Sequence, residues 1–235
     1  HIQLEIDSGM TRQGATVEAL PSLLSLMKEK NLTVEGVMTH FASAEVAGST
    51  QTRAQREQFA RAVRMVREAG ERPSWIHAGS SSTLDNDPAE ASLCWLRELA
   101  ARVGARAMVR PGIALYGYCL PIEGNTQPQV RNQLQPVMTW KTRIMDIRDV
   151  RPGDTIGYNA TFVAARPMRL ALLPVGYSDG LRRELGGTTT RAGGWTIVRG
   201  QHAPIVGRIS MNLTTIDITG IPGVSTGDEA VLLGD

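Results

Sequence analysis

With 235 residues, 42% of them apolar and 20% charged, the chain can bury a sizeable core, which excludes global disorder. Its 25 Lys and Arg nearly balance 23 Asp and Glu, so a net charge of +2 carries no nucleic-acid or acidic-membrane footprint. Cys94 and Cys119, the two cysteines, form no disulfide framework and have no metal-ligand spacing, so a reducing, cytoplasmic setting is expected, with a periplasmic one left open; no apolar run reaches the ~20 residues of a membrane span.

The chain opens on His1 inside a strand-like alternation, with Ile2, Leu4 and Ile6 at period two. It closes on Leu233-Gly234-Asp235 without a cap, so both ends read as cuts within a longer protein. Residues 16–30 place Val17, Leu20, Leu23, Leu24 and Met27 at helical spacing, and Pro21 sets the helix start near residue 20. Val34–Phe41 reads as a strand. Residues 51–69 read as a charged helix with Phe59, Val63 and Val66 inward, stopped by Gly70. Ser74–His77 reads as a strand, 88–103 as a helix and Ala107–Arg110 as a strand.

This alternation predicts a parallel sheet with helices packed on it. About four β/α units fit into residues 1–118, half of a closed barrel of ~250 residues. A doubly wound open sheet competes, although the Gly-x-Gly-x-x-Gly of its nucleotide-binding version is absent. Residues 119–135 are polar, contain two prolines and read as a linker. Beyond it, short β-branched runs predict an all-β domain: Val137–Ile147, Thr155–Phe162, Leu170–Pro174, Trp195–Val198, Ile205–Ile209 and Thr214–Ile218. The expected division is 1–133, half of an α/β barrel, and 134–235, a β domain.

Polar residues recur where the parallel strands end, the edge that faces ligands in such folds. They are Arg12, His40, the run Ser80-Ser81-Ser82, and Arg110 before Pro111-Gly112-Ile113. Hydroxyls and free backbone N–H groups beside a helix start suit a phosphate. Taken singly, His40 reads as a structural histidine, the serines as a solvated turn, and the arginines as salt-bridge partners of Glu5 or Asp7. Four successive strand ends carrying such groups favour a site. His77 and His202 have no evident partner, and no metal cluster or Ser-His-Asp set is visible.

Eight strings, in order, resemble the alanine racemases, fold-type III enzymes that use pyridoxal 5′-phosphate. They are LEIDSGMTR (4–12), EGVMTHF (35–41), HAGSSSTL (77–84), MVRPGIALYG (108–117), LQPVMTWKTRI (134–144), GYNATF (157–162), LPVGYSDG (173–180) and IVGRISMN (205–212). The resemblance implies a partial eight-fold barrel followed by a β domain. It implies that Arg110 donates to the pyridine nitrogen, and a permanently protonated guanidinium leaves that nitrogen unprotonated. Ser80, with Gly112 and Ile113, is implied on the cofactor phosphate. His40 is implied to link Arg110 to the catalytic tyrosine, and Arg12 to meet the substrate carboxylate. Tyr158 resembles the catalytic tyrosine, supplied across a homodimer interface, and Arg183 an arginine that supports it. A phenol is a weak base at neutral pH unless neighbouring groups favour its anion. Tyr177 and Met211 resemble substrate contacts.

The implied activity is two-base racemisation of alanine, with the phenol on one face and the Schiff-base lysine on the other. Lys28, Lys30 and Lys141, the only lysines, lie outside the expected setting, so that lysine is expected upstream and this stretch alone is expected to be inactive. Glu5 stands where many members carry a carbamylated lysine, and is expected to offer its negative charge to Arg12. Ser210 and Asn212 replace a more usual Cys and Asp, which leaves serine or broader racemisation open. Residues 85–107 read as an insertion. A fold-type III decarboxylase, a non-catalytic cofactor-binding barrel and a small-molecule binder without the cofactor fit the strings less well.

Overall fold

The computed structural model describes residues 1–86, 91–124 and 127–234. The chain divides into two compact units, His1–Val137 and Met138–Asp235.

In the first unit, β1 (Ile2–Asp7), β3 (Val34–Met38), β4 (Trp75–His77) and β5 (Arg106–Met108) lie side by side in that order, all parallel, with the two-residue β2 (Ala15–Thr16) on the outer side of β1. The helices between them are α1 (Leu20–Glu29), α2 (Thr50–Glu68), α3 (Ser81–Asp85) and α4 (Ala91–Arg102). Leu4, Val37 and Ile76 share one sheet face and one buried cluster with Leu24 of α1, Phe59 of α2 and Leu99 of α4. A doubly wound sheet would reverse strand order and cover both faces. Among β1, β3, β4 and β5 the order never reverses, β2 being a two-residue pairing with no helix before it, and α1, α2 and α4 pack on one face, which is the repeat of a partial eight-fold barrel.

Local chemistry explains the helix bounds. Pro21 occupies the first turn of α1, where its missing N–H costs nothing. The Ser49 hydroxyl caps α2 by accepting Thr52 N–H at 3.2 Å, and Gly70, at φ 96°, follows its last turn. The stretch expected to be an insertion carries α4, the crossover helix between β4 and β5, and Trp95 packs against Phe41 and Phe59. Of that stretch and the expected helix 88–103, residues 87–90 fall outside the described residues.

The polar stretch expected to be a linker is docked on the first unit instead. Ala47 N–H donates to Glu123 O, and Glu123 N–H to Glu45 O, both at 2.8 Å. The buried Asp85 carboxylate accepts Val130 and Arg131 N–H at 3.0 and 2.8 Å. Gly117, at φ 85°, lies so close to this segment that a Cβ there would sit 2.0 Å from Gln135 O.

In the second unit, β7 (Asp146–Val150), β10 (Met168–Leu173) and β13 (Thr214–Asp217) form an antiparallel sheet centred on β10. A second antiparallel sheet runs β12 (Gln201–Pro204), β11 (Trp195–Val198), β14 (Glu229–Leu233), β6 (Trp140–Arg143). The run expected as one strand over 137–147 is broken at Ile144–Met145, where the chain leaves β6 in one sheet for β7 in the other. Ile144, 1% exposed, plugs that corner among the buried side chains of both sheets. The expected strand 155–162 is a hairpin of β8 (Thr155–Ile156) and β9 (Phe162–Val163) around a 3-10 turn at Tyr158–Ala160. Ile205–Ile209 is not a strand: Ile205 and Gly207 make isolated bridges, and the run's apolar side chains are buried without a ladder.

Candidate active site

The helix-free face of the parallel sheet carries Gln3, Glu5, His77 and Arg106 beside Met38, Trp75 and Met108, and its strand ends bring Arg110, Thr39, His40 and the Ser81 loop to that face. Arg110 lies two residues past β5. Its Nη1 donates to His77 Nδ1 at 3.0 Å, and its Nη2 to Thr39 O at 2.8 Å. Two guanidinium N–H groups are thereby engaged; among the described residues the rest are not. A guanidinium can only donate, so His77 Nδ1 is the acceptor and the neutral ring carries its proton on Nε2. That Nε2 faces Gln3 Oε1 at 3.0 Å. His77 is 3% exposed, and burial together with the Arg110 charge pushes it down to about 4.

The imidazole on Arg110 is therefore that of His77. His40 makes no hydrogen bond through its ring among the described residues. Burial first, then Arg12 and Arg110, lower its pKa, and Glu5 opposes them. Its carbonyl accepts Gln55 Nε2 at 3.0 Å. Gln55, 1% exposed on α2, also takes Ala42 N–H at 2.8 Å and faces Ser8 Oγ at 3.3 Å. The Ser8 hydroxyl in turn lies 2.6 Å from that of Thr39. This buried amide–hydroxyl cluster holds the ends of β1 and β3 together.

The hydroxyl beside the Gly112 turn belongs to Ser81. Its Oγ accepts the N–H groups of Gly112 and Ala114, both at 3.0 Å. Ser80 precedes α3, its N–H donating to Thr83 Oγ1 at 3.1 Å. Ile113 begins the 3-10 helix Ile113–Tyr116, and Arg110 N–H donates to Gly79 O at 3.0 Å, which ties the two turns together. Those two N–H groups are engaged by the Ser81 oxygen, which leaves the Ser81 hydroxyl proton free to donate to an anionic oxygen.

Arg12 is exposed in the loop after β1. Asp7 organises that loop: its Oδ1 accepts Gly9, Met10 and Thr11 N–H, each at 3.0 Å, and these bonds hold its carboxyl below the usual range. Glu5 makes no ion pair with Arg12 among the described residues. It accepts Gln13 Nε2 at 2.8 Å, and its charge acts on Arg110 and His40.

In the second unit, Tyr177, Arg183 and Met211 come together. The Arg183 guanidinium lies 5.0 Å from the Tyr177 ring centroid. Tyr177 N–H donates to Ser210 O at 3.0 Å, and Ser178 N–H and Oγ donate to Met211 O at 2.9 and 2.7 Å. Gly176 permits this approach, because a Cβ there would lie 2.3 Å from Ser210 O. Tyr158 is 67% exposed at the tip of the β8–β9 hairpin, and its hydroxyl has no partner among the described residues. Asn159 and Ala160 behind it both have positive φ, 61° and 49°.

Sequence reasoning singled out Ser80 from a run that includes Ser81, found no partner for His77, and did not mark Gln3 or Gln55; the partner of His77 was within reach. The sheet order could have found it: β4 neighbours β5, so its terminal histidine is the one nearest the residue that follows β5.

Comparison with known proteins matches residues 1–120 to the family model described as "Alanine racemase, N-terminal domain" and 137–235 to "Alanine racemase, C-terminal domain". The alanine racemase of Geobacter sp. (strain M21) is 37% identical over 238 residues, covering all of this chain and 57% of that protein. An alanine racemase structure from a D-cycloserine-producing Streptomyces lavendulae matches at TM-score 0.73 and 27% identity, covering 100% of this chain and 57% of that one. The alanine racemase of Bacillus anthracis with bound L-Ala-P matches at TM-score 0.71 and 28% identity, covering 99% and 55%. The chain thus spans little more than half the length of the relatives it matches.

Proposed function

The chain belongs to the alanine racemase family, and from that premise we propose that it is the greater part of the pyridoxal 5′-phosphate-dependent machinery of an amino-acid racemase that interconverts L- and D-alanine. The observation that carries the reading is the clamped guanidinium of Arg110 beside the cradle of Ser81, Gly112 and Ala114. The donors fit the group. The Ser81 oxygen is held by two N–H groups, so its own proton is free for a phosphate oxygen, and a donor-only guanidinium suits an unprotonated ring nitrogen. Ser80 and Ile113, beside that cradle, complete the proposed phosphate loop.

The chemistry the bound cofactor supplies is acidification of the α-proton of an attached amino acid. Arg110 keeps the ring nitrogen free of a proton and so limits how far charge drains into the ring. His77 and Thr39 hold Arg110 in place, Glu5 sets the charge around it, and His40 lies beside them. Arg12 binds the substrate carboxylate. Tyr158, exposed on its hairpin, reaches the site of a second subunit and moves the α-proton on one face, with Arg183, Tyr177 and Met211 on the substrate side. The lysine for the other face is assigned to residues outside this chain, since Lys28 and Lys30 lie at the C-terminal end of α1 and Lys141 on β6 pairs with Glu229.

The test is chiral analysis of the full-length protein with L-alanine and, because of Ser210 and Asn212, with L-serine, alongside its absorbance spectrum. A Schiff-base band with D-alanine formation is expected, and Tyr158→Phe should slow turnover at least ~10²-fold. A protein with no such band and no D-amino acid overturns the reading; D-serine alone changes the substrate.

A further inference from the structure

Gln3 lies on β1, two strands away from His77 on β4, with β3 between them. Its side chain nevertheless reaches His77 Nε2 at 3.0 Å. The path crosses Gly36, its register partner on β3. A Cβ at Gly36 would sit 1.9 Å from Gln3 Oε1 and 2.9 Å from its Cδ, inside the volume the amide fills. Gly36 has no positive φ, so open space rather than backbone conformation is what a glycine provides here. The result is a chain of hydrogen bonds over three strands: Gln3 Oε1 accepts from His77, and His77 Nδ1 accepts from Arg110.

We propose that Gln3 is a positioning residue for Arg110, acting through His77, and that the bare Cα of Gly36 is the slot its amide needs to cross β3. The inference rests on the reading of Arg110 as the group that meets the cofactor ring. The logic is one of donors and acceptors. Arg110 needs an acceptor at His77 Nδ1, and a neutral imidazole offers one only when Nε2 holds the proton. The Gln3 carbonyl oxygen accepts that proton without carrying a charge, so the ring stays neutral and keeps its lone pair towards Arg110. A carboxylate in the same place would favour the imidazolium, whose two N–H groups would repel the guanidinium. The charged and titratable groups around this corner are Arg110 past β5, Glu5 on β1 and His40 past β3.

Gln3→Glu, Gln3→Leu and Gly36→Ala in the full-length protein test this, with the His77 ring followed by nitrogen NMR in the cofactor-free form and pyridoxal 5′-phosphate affinity measured across pH. In Gln3→Glu the His77 pKa should rise by about two units. Cofactor affinity should fall below that new pKa and return to the wild-type level above it, whereas wild-type affinity should not fall there. Gln3→Leu and Gly36→Ala should each weaken cofactor binding by about tenfold at all pH values, the loss expected for one hydrogen bond. A residue that mattered only for folding would lower the thermal midpoint without this pH profile.

The proposal fails if Gln3→Glu leaves the His77 titration unmoved, or moves it with no matching change in affinity. If Gln3→Glu does not fold, unchanged affinity in Gln3→Leu and Gly36→Ala overturns the proposal and a matched loss in both supports it. Absence of any cofactor binding in the wild type overturns the functional reading instead, and the His77 titration then decides the Gln3 contact by itself.

Discussion

Both ring nitrogens of His77 are engaged at 3% exposure, so protonating it breaks a contact and buries a charge. Its folded value of about 4 lies below the ~6.5 of an unfolded imidazole, so the unfolded chain holds more protons between those two values. The stabilisation is full above pH ~6.5 and is lost as the pH falls through 4, by roughly 3 kcal/mol. His40, shifted in the same direction, adds to it. Asp7 acts elsewhere: its lowered pKa contributes stability that is lost only below the ordinary carboxylate range. Urea midpoints measured from pH 7 to 4.5 should therefore fall steadily, and a level profile would contradict the buried neutral imidazole. At this scale the sequence was only partly legible. Arg110 stood out because it ends a strand before Pro-Gly. Three consecutive serines hid which hydroxyl enters the cradle, because a one-residue step at a helix start turns a side chain by ~100°. Gln3 left no trace, since its partner lies 74 positions away.

Helices were the most readable elements. Leu20, Leu24 and Met27 mark the buried stripe of α1, Pro21 marks its start and Gly70 the stop of α2 by local chemistry alone. The strands of the second unit were read less well, because an apolar run can be buried without joining a ladder, as at Ile205–Ile209. The polar composition of the docked segment 119–135 hides its anchors: the backbone at Glu123, Val130 and Arg131 is held by hydrogen bonds, and Ile122 is buried beside them. Gly117 tests that docking. Alanine there would need a positive φ and would drive a methyl into Gln135 O. Gly117→Ala should cost about 3 kcal/mol or more in chemical denaturation. A loss below ~1 kcal/mol would mean that the segment is not held against Gly117.

Across the whole molecule, each unit has its own buried interior. The cluster around Leu24, Phe59 and Ile76 lies wholly in the first, and the clusters around Leu173 and Ile216, and around Met168, wholly in the second. Truncation of a large core side chain should therefore act on one unit. Phe59→Ala should lower the melting transition of the first and Ile216→Ala that of the second, each by roughly 3–5 kcal/mol. Calorimetry in which either substitution lowers a single shared transition would refute that separation. The change of composition near residue 119 made two units visible in the sequence, while the corner at Ile144–Met145 was invisible because the same apolar pattern continues through it. The left-handed pair Asn159–Ala160 carries a last implication. Each is a backbone conformation that glycine adopts more cheaply, so Ala160→Gly would make the hairpin sturdier by about 1 kcal/mol. It would also let the phenol of Tyr158 wander. With the role proposed for Tyr158, heat tolerance and turnover pull this one position in opposite directions, and an engineer adding glycines to relieve strain would find here the swap to leave alone.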